Sequence, residues 1–86
     1  MPYIKQEDRK YLEPIVKETA SQIDDCGKLN FAITTMVQEY LKKKGQNYAN
    51  INEVVGVLEC AKLEFYRRIV SPYENQKIVD NGDVII

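Results

Sequence analysis

The chain has 86 residues, enough for one small domain and too few for two independent hydrophobic cores. Apolar residues make up 44% of it and charged residues 29%, a composition that argues against disorder. The net charge of −1 gives no general attraction to DNA, RNA or anionic lipid, and the modest positive excess lies within residues 30–70, where it suits a small anion.

The N-terminal part of the sequence predicts two helices separated by a proline. The first runs from about Gln6 to Leu12. Pro14 predicts a break, because proline disfavours helical dihedrals in the residue before it but suits the first turn of a new helix. The second helix extends from there to about Cys26, and Gly27 is placed to end it in a left-handed conformation.

A third helix is predicted to open at Asn30, a favourable N-cap, and to end at Gly45. The three lysines at 42–44 fill its last turn, where cations suit the negative end of the helix dipole. Its apolar face recurs every three or four residues and consists of Leu29, Ile33, Met36, Val37, Tyr40 and Leu41.

The longest predicted helix covers about residues 51–70. Asn50 precedes it as the expected N-cap, and Glu53 follows three residues later, as in a capping box. Gly56 lies inside the helix at a cost of about 1 kcal/mol relative to alanine, which close packing of another helix backbone would offset. The apolar face consists of Ile51, Val54, Val55, Leu58, Ala61, Phe65 and Ile69.

A short final helix is predicted over residues 72–80, with Ser71 as its cap and Pro72 as its first residue. Asn81 and Gly82 end it, and the apolar tail of residues 84–86 is expected to pack on the core or on a second copy. The prediction is therefore an all-α single domain over residues 1–86, a small bundle of four or five helices. Because so small a core is marginal alone, we expect self-association.

Catalytic and metal-binding patterns are missing from the sequence. It has no histidine, no nucleophile motif and no phosphate loop, so we expect a binding protein without a cofactor and not an enzyme. Cys26 and Cys60 have no zinc-ligand spacing and are expected to be buried thiols in a reducing compartment. No segment suits a membrane span or a signal peptide, which predicts a cytoplasmic protein.

Groups suited to a small anion concentrate in residues 47–74. Helix N-termini attract phosphate, arginine grips it with two parallel hydrogen bonds, and tyrosine offers a flat stacking face. Asn50 and Arg67 lie about 25 Å apart along a straight helix, so one small ligand reaches both only in a site between chains. The candidate ligand-binding residues are Tyr48, Asn50, Asn52, Lys62, Arg67, Arg68 and Tyr73.

The same residues also have purely structural interpretations. Glu64 precedes Arg67 by three residues and Arg68 by four, and Glu59 precedes Lys62 by three. These are the spacings of surface ion pairs worth roughly a few tenths of a kcal/mol. Asn50 is equally suited to be only a helix cap. The hypothesis of a site therefore rests on the combination of these groups in one segment.

Four segments in the second half of the chain form a motif. They are Tyr40-Leu-Lys-Lys-Lys-Gly45, Asn47-Tyr-Ala-Asn-Ile-Asn-Glu-Val-Val-Gly-Val-Leu-Glu-Cys-Ala-Lys-Leu-Glu-Phe-Tyr-Arg-Arg68, Pro72-Tyr-Glu74 and Asn81-Gly-Asp83. With these and a Met-Pro-Tyr-Ile start, the chain resembles a family of small uncharacterised proteins of tailed bacteriophages and related bacterial elements. The family has no established activity, so no site residues follow from the resemblance.

The resemblance implies a setting for the hypothesis of binding. A phage accessory protein without catalytic groups works by stoichiometric binding, for example as an anti-defence sponge that sequesters nucleotide-type second messengers of bacterial immunity. The leading hypothesis is a homo-oligomer that binds a small anionic, nucleotide-like ligand. The alternative is an adaptor or inhibitor that docks on a host or phage protein through its apolar tail and tyrosines. Nucleic-acid binding ranks third, because acidic residues flank the basic segment.

Overall fold

The backbone is helical wherever it is regular. The computed structural model describes residues 2–85. The helices are α1 (Gln6–Ser21), α2 (Cys26–Lys44), α3 (Tyr48–Phe65) and α4 (Ser71–Asn81), with a π-helical segment, Tyr66–Val70, between the last two. No strand occurs in residues 2–85, which confirms the all-α class.

The helices follow one another in three continuous stretches. Phe65, Val70 and Ser71 all have right-handed helical dihedrals, so the chain passes from α3 through the π-helical segment into α4 without a break. The predicted bundle of four or five helices is therefore not confirmed. Two compact units divide the chain, Met1–Val54 and Val55–Ile86, and the expected single domain stays a prediction.

The predicted break at Pro14 is wrong, because α1 continues through this residue. Proline lacks the N–H that would bond to the carbonyl of Lys10, and its ring crowds that carbonyl. Lys10 is exposed, so water can satisfy the lost bond and the helix tolerates the defect. The helix ends at Ser21, where the N–H of Gln22 bonds to the carbonyl of Thr19 at 3.1 Å.

The start of α2 also differs from the prediction. Asp25 is the N-cap, and its carboxylate accepts a hydrogen bond of 2.7 Å from the N–H of Lys28. Gly27 therefore lies in the first turn of α2 and does not end the preceding helix, while Asn30 is an interior residue. An aspartate cap satisfies a helix N-terminus as well as asparagine does, and it stands earlier in the sequence.

The end of α2 is confirmed. Lys44 is its last residue, and Gly45 follows with a φ of 106°, a region that favours glycine. The N–H of Gly45 bonds to the carbonyl of Leu41 at 2.7 Å. Gly82, with a φ of 91°, ends α4 in the same way, also as predicted.

The helix predicted over residues 51–70 begins and ends earlier. α3 starts at Tyr48, because the side chain of Asn47, and not that of Asn50, accepts the capping hydrogen bond. Its α-helical part has 18 residues and α2 has 19, so α2 is the longer α-helix. Ser71 does not cap α4, since its dihedrals and those of Val70 are already helical.

The π-helical segment lies immediately before a proline. Pro72 has no N–H for the carbonyl of Arg68 and its ring crowds that group. In the wider π turn the N–H of Ser71 bonds to the carbonyl of Tyr66, five residues back. The change of helix type thus relieves the crowding by the proline ring without ending the helix. Ser71 therefore lies within a continuous helical stretch and is not the cap that the sequence predicts.

Burial in the single chain is slight. Val54, with 8% of its surface accessible, is the one buried residue among those described. Within residues 2–54, α1 and α2 do not pack along their lengths, and the predicted core residues Leu29, Ile33 and Met36 are exposed. The apolar faces that the sequence marks are therefore present, but the described part of one chain does not cover them.

Both cysteines are exposed free thiols, so their expected burial is wrong for the single chain. Cys26 is the first residue of α2, and Cys60 lies in α3. Gly56 also lacks the predicted neighbour, since a Cβ added there would meet nothing within 4 Å.

Candidate functional site

The side chain of Asn50 joins the start of α3 to the end of α2. Its Nδ2 donates to the carbonyl oxygens of Gly45 at 2.9 Å and Lys44 at 3.2 Å. The backbone N–H of Asn50 donates to Oδ1 of Asn47 at 2.9 Å. These bonds satisfy carbonyls at the end of α2 and an N–H in the first turn of α3. The structural interpretation therefore accounts for Asn50, whose amide nitrogen is engaged.

Tyr48 and Asn52 differ from Asn50 in having exposed side chains. Tyr48 is the first residue of α3 and is 80% exposed, so its ring is available for stacking. Asn52 is exposed one turn further on. These three candidates all belong to the unit Met1–Val54.

Two of the cationic candidates are held in ion pairs within their own helical stretch. Lys62 Nζ lies 3.1 Å from the carboxylate of Glu59, and Arg67 Nη2 lies 2.8 Å from that of Glu64. The sequence predicted the first pair and left Arg67 and Arg68 as alternative partners of Glu64. Surface pairs of this kind contribute little stability, roughly 0.2–1 kcal/mol, so a stronger anion could displace either carboxylate.

Arg68 is the candidate cation whose side chain has no ion pair or hydrogen bond in residues 2–85. It is exposed and lies in the π-helical segment Tyr66–Val70. Short π segments inside helices occur frequently at functional sites. Of the two neighbouring arginines, Arg68 is therefore the one whose guanidinium does not have to leave a carboxylate in order to bind a ligand.

Tyr73 lies in the first turn of α4 and is mostly exposed. Nζ of Lys77 lies 5.3 Å from the centroid of its ring, within the range of a cation–π contact. With Lys62, Arg67 and Arg68, Tyr73 belongs to the unit Val55–Ile86. The seven candidates are thus divided three and four between the two units.

Sequence reasoning missed a groove along the N-terminal half of α1. Nε of Arg9 donates to the carbonyl of Ile4 at 3.0 Å and holds the segment before the helix against it. The groove has a volume of about 440 Å³, and an apolar floor that includes Leu12 and Val16. No local pattern in the sequence signals it, because it depends on a bond between Arg9 and a carbonyl outside the helix.

Glu13 and Lys17 form the polar rim of this groove. Their ion pair measures 2.6 Å. The hydrogen bond from Lys17, together with its positive charge, lowers the pKa of the Glu13 carboxyl below its ordinary value of 4.5. Glu13 is therefore ionised at neutral pH and offsets much of the positive charge that Lys17 brings to the groove.

Two features bear on other kinds of site. Within residues 2–85, no helix is long and apolar enough to cross a membrane. The same residues contain no group of three or more histidine, cysteine, aspartate or glutamate side chains arranged to hold a metal ion.

Comparison with known proteins places the chain in one family. A family model described as a domain of unknown function, DUF6899, matches residues 1–84. No curated protein and no solved structure matches the chain.

Proposed function

We propose that this chain, which belongs to the DUF6899 family, is a non-catalytic binding protein that assembles with copies of itself and holds a small anionic, nucleotide-like ligand. Arg68 is the group that grips the anion, Tyr73 supplies a stacking face, and Lys62 and Arg67 add positive charge. In a phage setting, such a protein acts as a sponge for a nucleotide second messenger in the cytoplasm of the host.

The exposure of the apolar helix faces is the observation that supports assembly most directly. Among residues 2–85 of the single chain, 25 large apolar side chains are exposed, and they include most of the residues that the sequence predicts as core. An interface of standard size takes about 20–30 residues from each partner. The chain therefore has enough apolar surface for several copies to form a helical bundle. Such a bundle would bury side chains that are exposed in residues 2–85 of one copy.

The ligand class follows from the side chains of the unit Val55–Ile86. An arginine without a carboxylate partner forms charge-assisted hydrogen bonds to phosphate, and Arg68 is exposed. Tyr73 presents a ring beside Lys77. A ring for the base and cations for the phosphate match a nucleotide better than a purely apolar compound.

Calorimetry against a panel of linear and cyclic nucleotides tests this proposal. We expect the wild-type protein to bind at least one member, and Arg68→Ala to weaken that binding about 10- to 100-fold, because a charge-assisted hydrogen bond contributes roughly 1.5–3 kcal/mol. Arg67→Ala is the matched control and should have a smaller effect, since Glu64 already engages Arg67. Absence of binding at millimolar nucleotide would overturn the proposal.

The C-terminal tail favours a second candidate function, an adaptor or inhibitor of a host or phage protein. Val84 is 87% exposed and Ile85 is 79% exposed, so both side chains are available to a partner. Affinity capture from infected cells distinguishes the two functions. A protein retained by the full chain and lost after removal of residues 84–86 supports the adaptor, whereas capture that is insensitive to the truncation contradicts docking through the tail.

A further inference from the structure

Helix α3 is apolar on more than one side. Residues 54–61 contain one charged residue, Glu59, in about two turns. Val55 and Val57 point about 200° apart on a helix, yet they are 61% and 62% exposed. A helix that is apolar around its circumference is normally enclosed by other helices, so this part of α3 is suited to contact with a partner helix.

One side of α3 is shaped for close approach of another helix. Gly56, Cys60 and Leu63 are spaced by four and three residues and form one face, which we call the Gly56 face. A Cβ at Gly56 would meet nothing within 4 Å, and both Cys60 and Leu63 are exposed. Helix axes approach to about 8–10 Å depending on the side chains between them, and a glycine permits the short end of that range.

Most charges beside the Gly56 face are paired within each chain. Glu59 pairs with Lys62, and Glu64 pairs with Arg67, whereas Glu53 has no ion pair in residues 2–85. In an antiparallel contact centred between Gly56 and Cys60, Glu53 lies beside Leu63 of the second copy and about 15 Å along the helix from the second Glu53, so the two carboxylates are largely screened from each other. A contact between two identical faces also needs no other molecule, and it closes with two-fold symmetry.

We propose that the Gly56 face is the surface on which a second copy of this chain docks, with α3 packed against α3 of the partner. This inference rests on the proposed assembly and gives it a location. The glycine is unfavourable for an isolated helix, but its missing side chain admits the second backbone. The exposed Leu63 and Val57 then supply apolar surface on and beside the contact.

Substitutions of the glycine test the proposal, because helix propensity and packing predict opposite results. Alanine favours an isolated helix more than glycine does, so a general effect on folding would strengthen a helical assembly. We expect Gly56→Ala to raise the dissociation constant at least tenfold and Gly56→Leu to raise it further. Sedimentation velocity over a concentration series, with far-ultraviolet circular dichroism of the same samples, measures both properties.

Gly27→Ala is the matched control. Gly27 also lies inside a helix, and an added Cβ would make an ordinary contact of 3.5 Å with Asp25 Oδ1. This variant should associate as the wild type does. A wild-type mass of 10.0 kDa at all concentrations, or association of Gly56→Leu as tight as that of wild type, would overturn the proposal. Nucleotide binding is measured in a separate calorimetry experiment. A failure to bind nucleotide would therefore not change the result expected for association through the Gly56 face.

Discussion

Asn50 Nδ2 lies 2.9 Å from the carbonyl oxygen of Gly45, so a residue of α3 binds the turn that ends α2. The glycine is needed there because its φ of 106° disfavours side chains, and this conformation directs its carbonyl toward Asn50. Asn47 completes the corner by capping the N–H of Asn50. The corner is therefore held by polar bonds, in a region where apolar packing is slight.

Asn50→Ala should destabilise this corner by about 1 kcal/mol, because the carbonyl of Lys44 loses its side-chain donor and that of Gly45 keeps only the N–H of Asn47. Urea unfolding followed by circular dichroism measures the change. Asn52→Ala is the control and should leave stability within about 0.5 kcal/mol of wild type, since Asn52 is exposed. Equal stabilities of the two variants would contradict the structural role of Asn50.

Replacing Pro72 should restore an ordinary α-helix before α4. Alanine at this position supplies the N–H that the carbonyl of Arg68 lacks and removes the crowding ring, which favours the helix by up to about 3 kcal/mol. We expect Pro72→Ala to raise the urea midpoint and to shift the amide resonances of Tyr66–Val70. Unchanged resonances in that segment would mean that the proline does not cause the π turn. Pro14→Ala, in α1, should leave them unchanged and is the control.

Local signals in the sequence predicted the ends of the helices at Gly45 and Gly82, because a glycine after the last turn acts independently of the rest of the chain. The local signals failed at two other positions. Near Gly27, Asp25 caps α2 two residues before the glycine that was expected to end the preceding helix. At Pro14, α1 continues because the unpaired carbonyl faces water. Periodicity also located the apolar faces, but a pattern does not state what covers them.

The sequence likewise predicted some contacts of the candidate site and missed others. Spacing alone indicated the pair Glu59–Lys62, since residues three apart are neighbours on any helix. It left Glu64 with two possible partners, Arg67 at three residues and Arg68 at four, so the sequence did not predict which arginine is paired. The N-terminal groove was also missed, since it depends on contact between a helix and the segment before it.

The ion pair of Glu13 and Lys17 should make α1 sensitive to acid. Because the pKa of Glu13 is lowered in the folded chain, its contribution to stability is present above the ordinary value of 4.5 and is lost as the pH falls through the lower folded pKa. We expect Lys17→Met to raise the Glu13 pKa toward 4.5, as measured by a nuclear magnetic resonance titration of the carboxyl carbon. Lys10→Met should leave it unchanged. A Glu13 pKa that does not respond to Lys17→Met would contradict the pairing.

Cys60 offers a chemical probe of the Gly56 face. Cys26 and Cys60 are both exposed in the single chain, so a thiol reagent should modify them without a large difference in access when the protein is dilute. If a second copy covers the Gly56 face, modification of Cys60 should slow at least tenfold as the protein concentration rises through the dissociation constant, whereas modification of Cys26 should not. Mass spectrometry of peptides after timed alkylation measures both rates in one sample.

Gly56→Leu should abolish the concentration dependence of Cys60 modification, because the side chain at residue 56 blocks the approach of the second helix. The rate in this variant is compared with its own rate at high dilution, since a leucine at 56 also neighbours the thiol. Protection of Cys60 that persists in this variant would place another surface over the thiol. Rates for Cys60 that are independent of concentration in the wild type would contradict docking at this face. The comparison of the two cysteines thus separates coverage of one helix face from a general loss of reactivity on assembly.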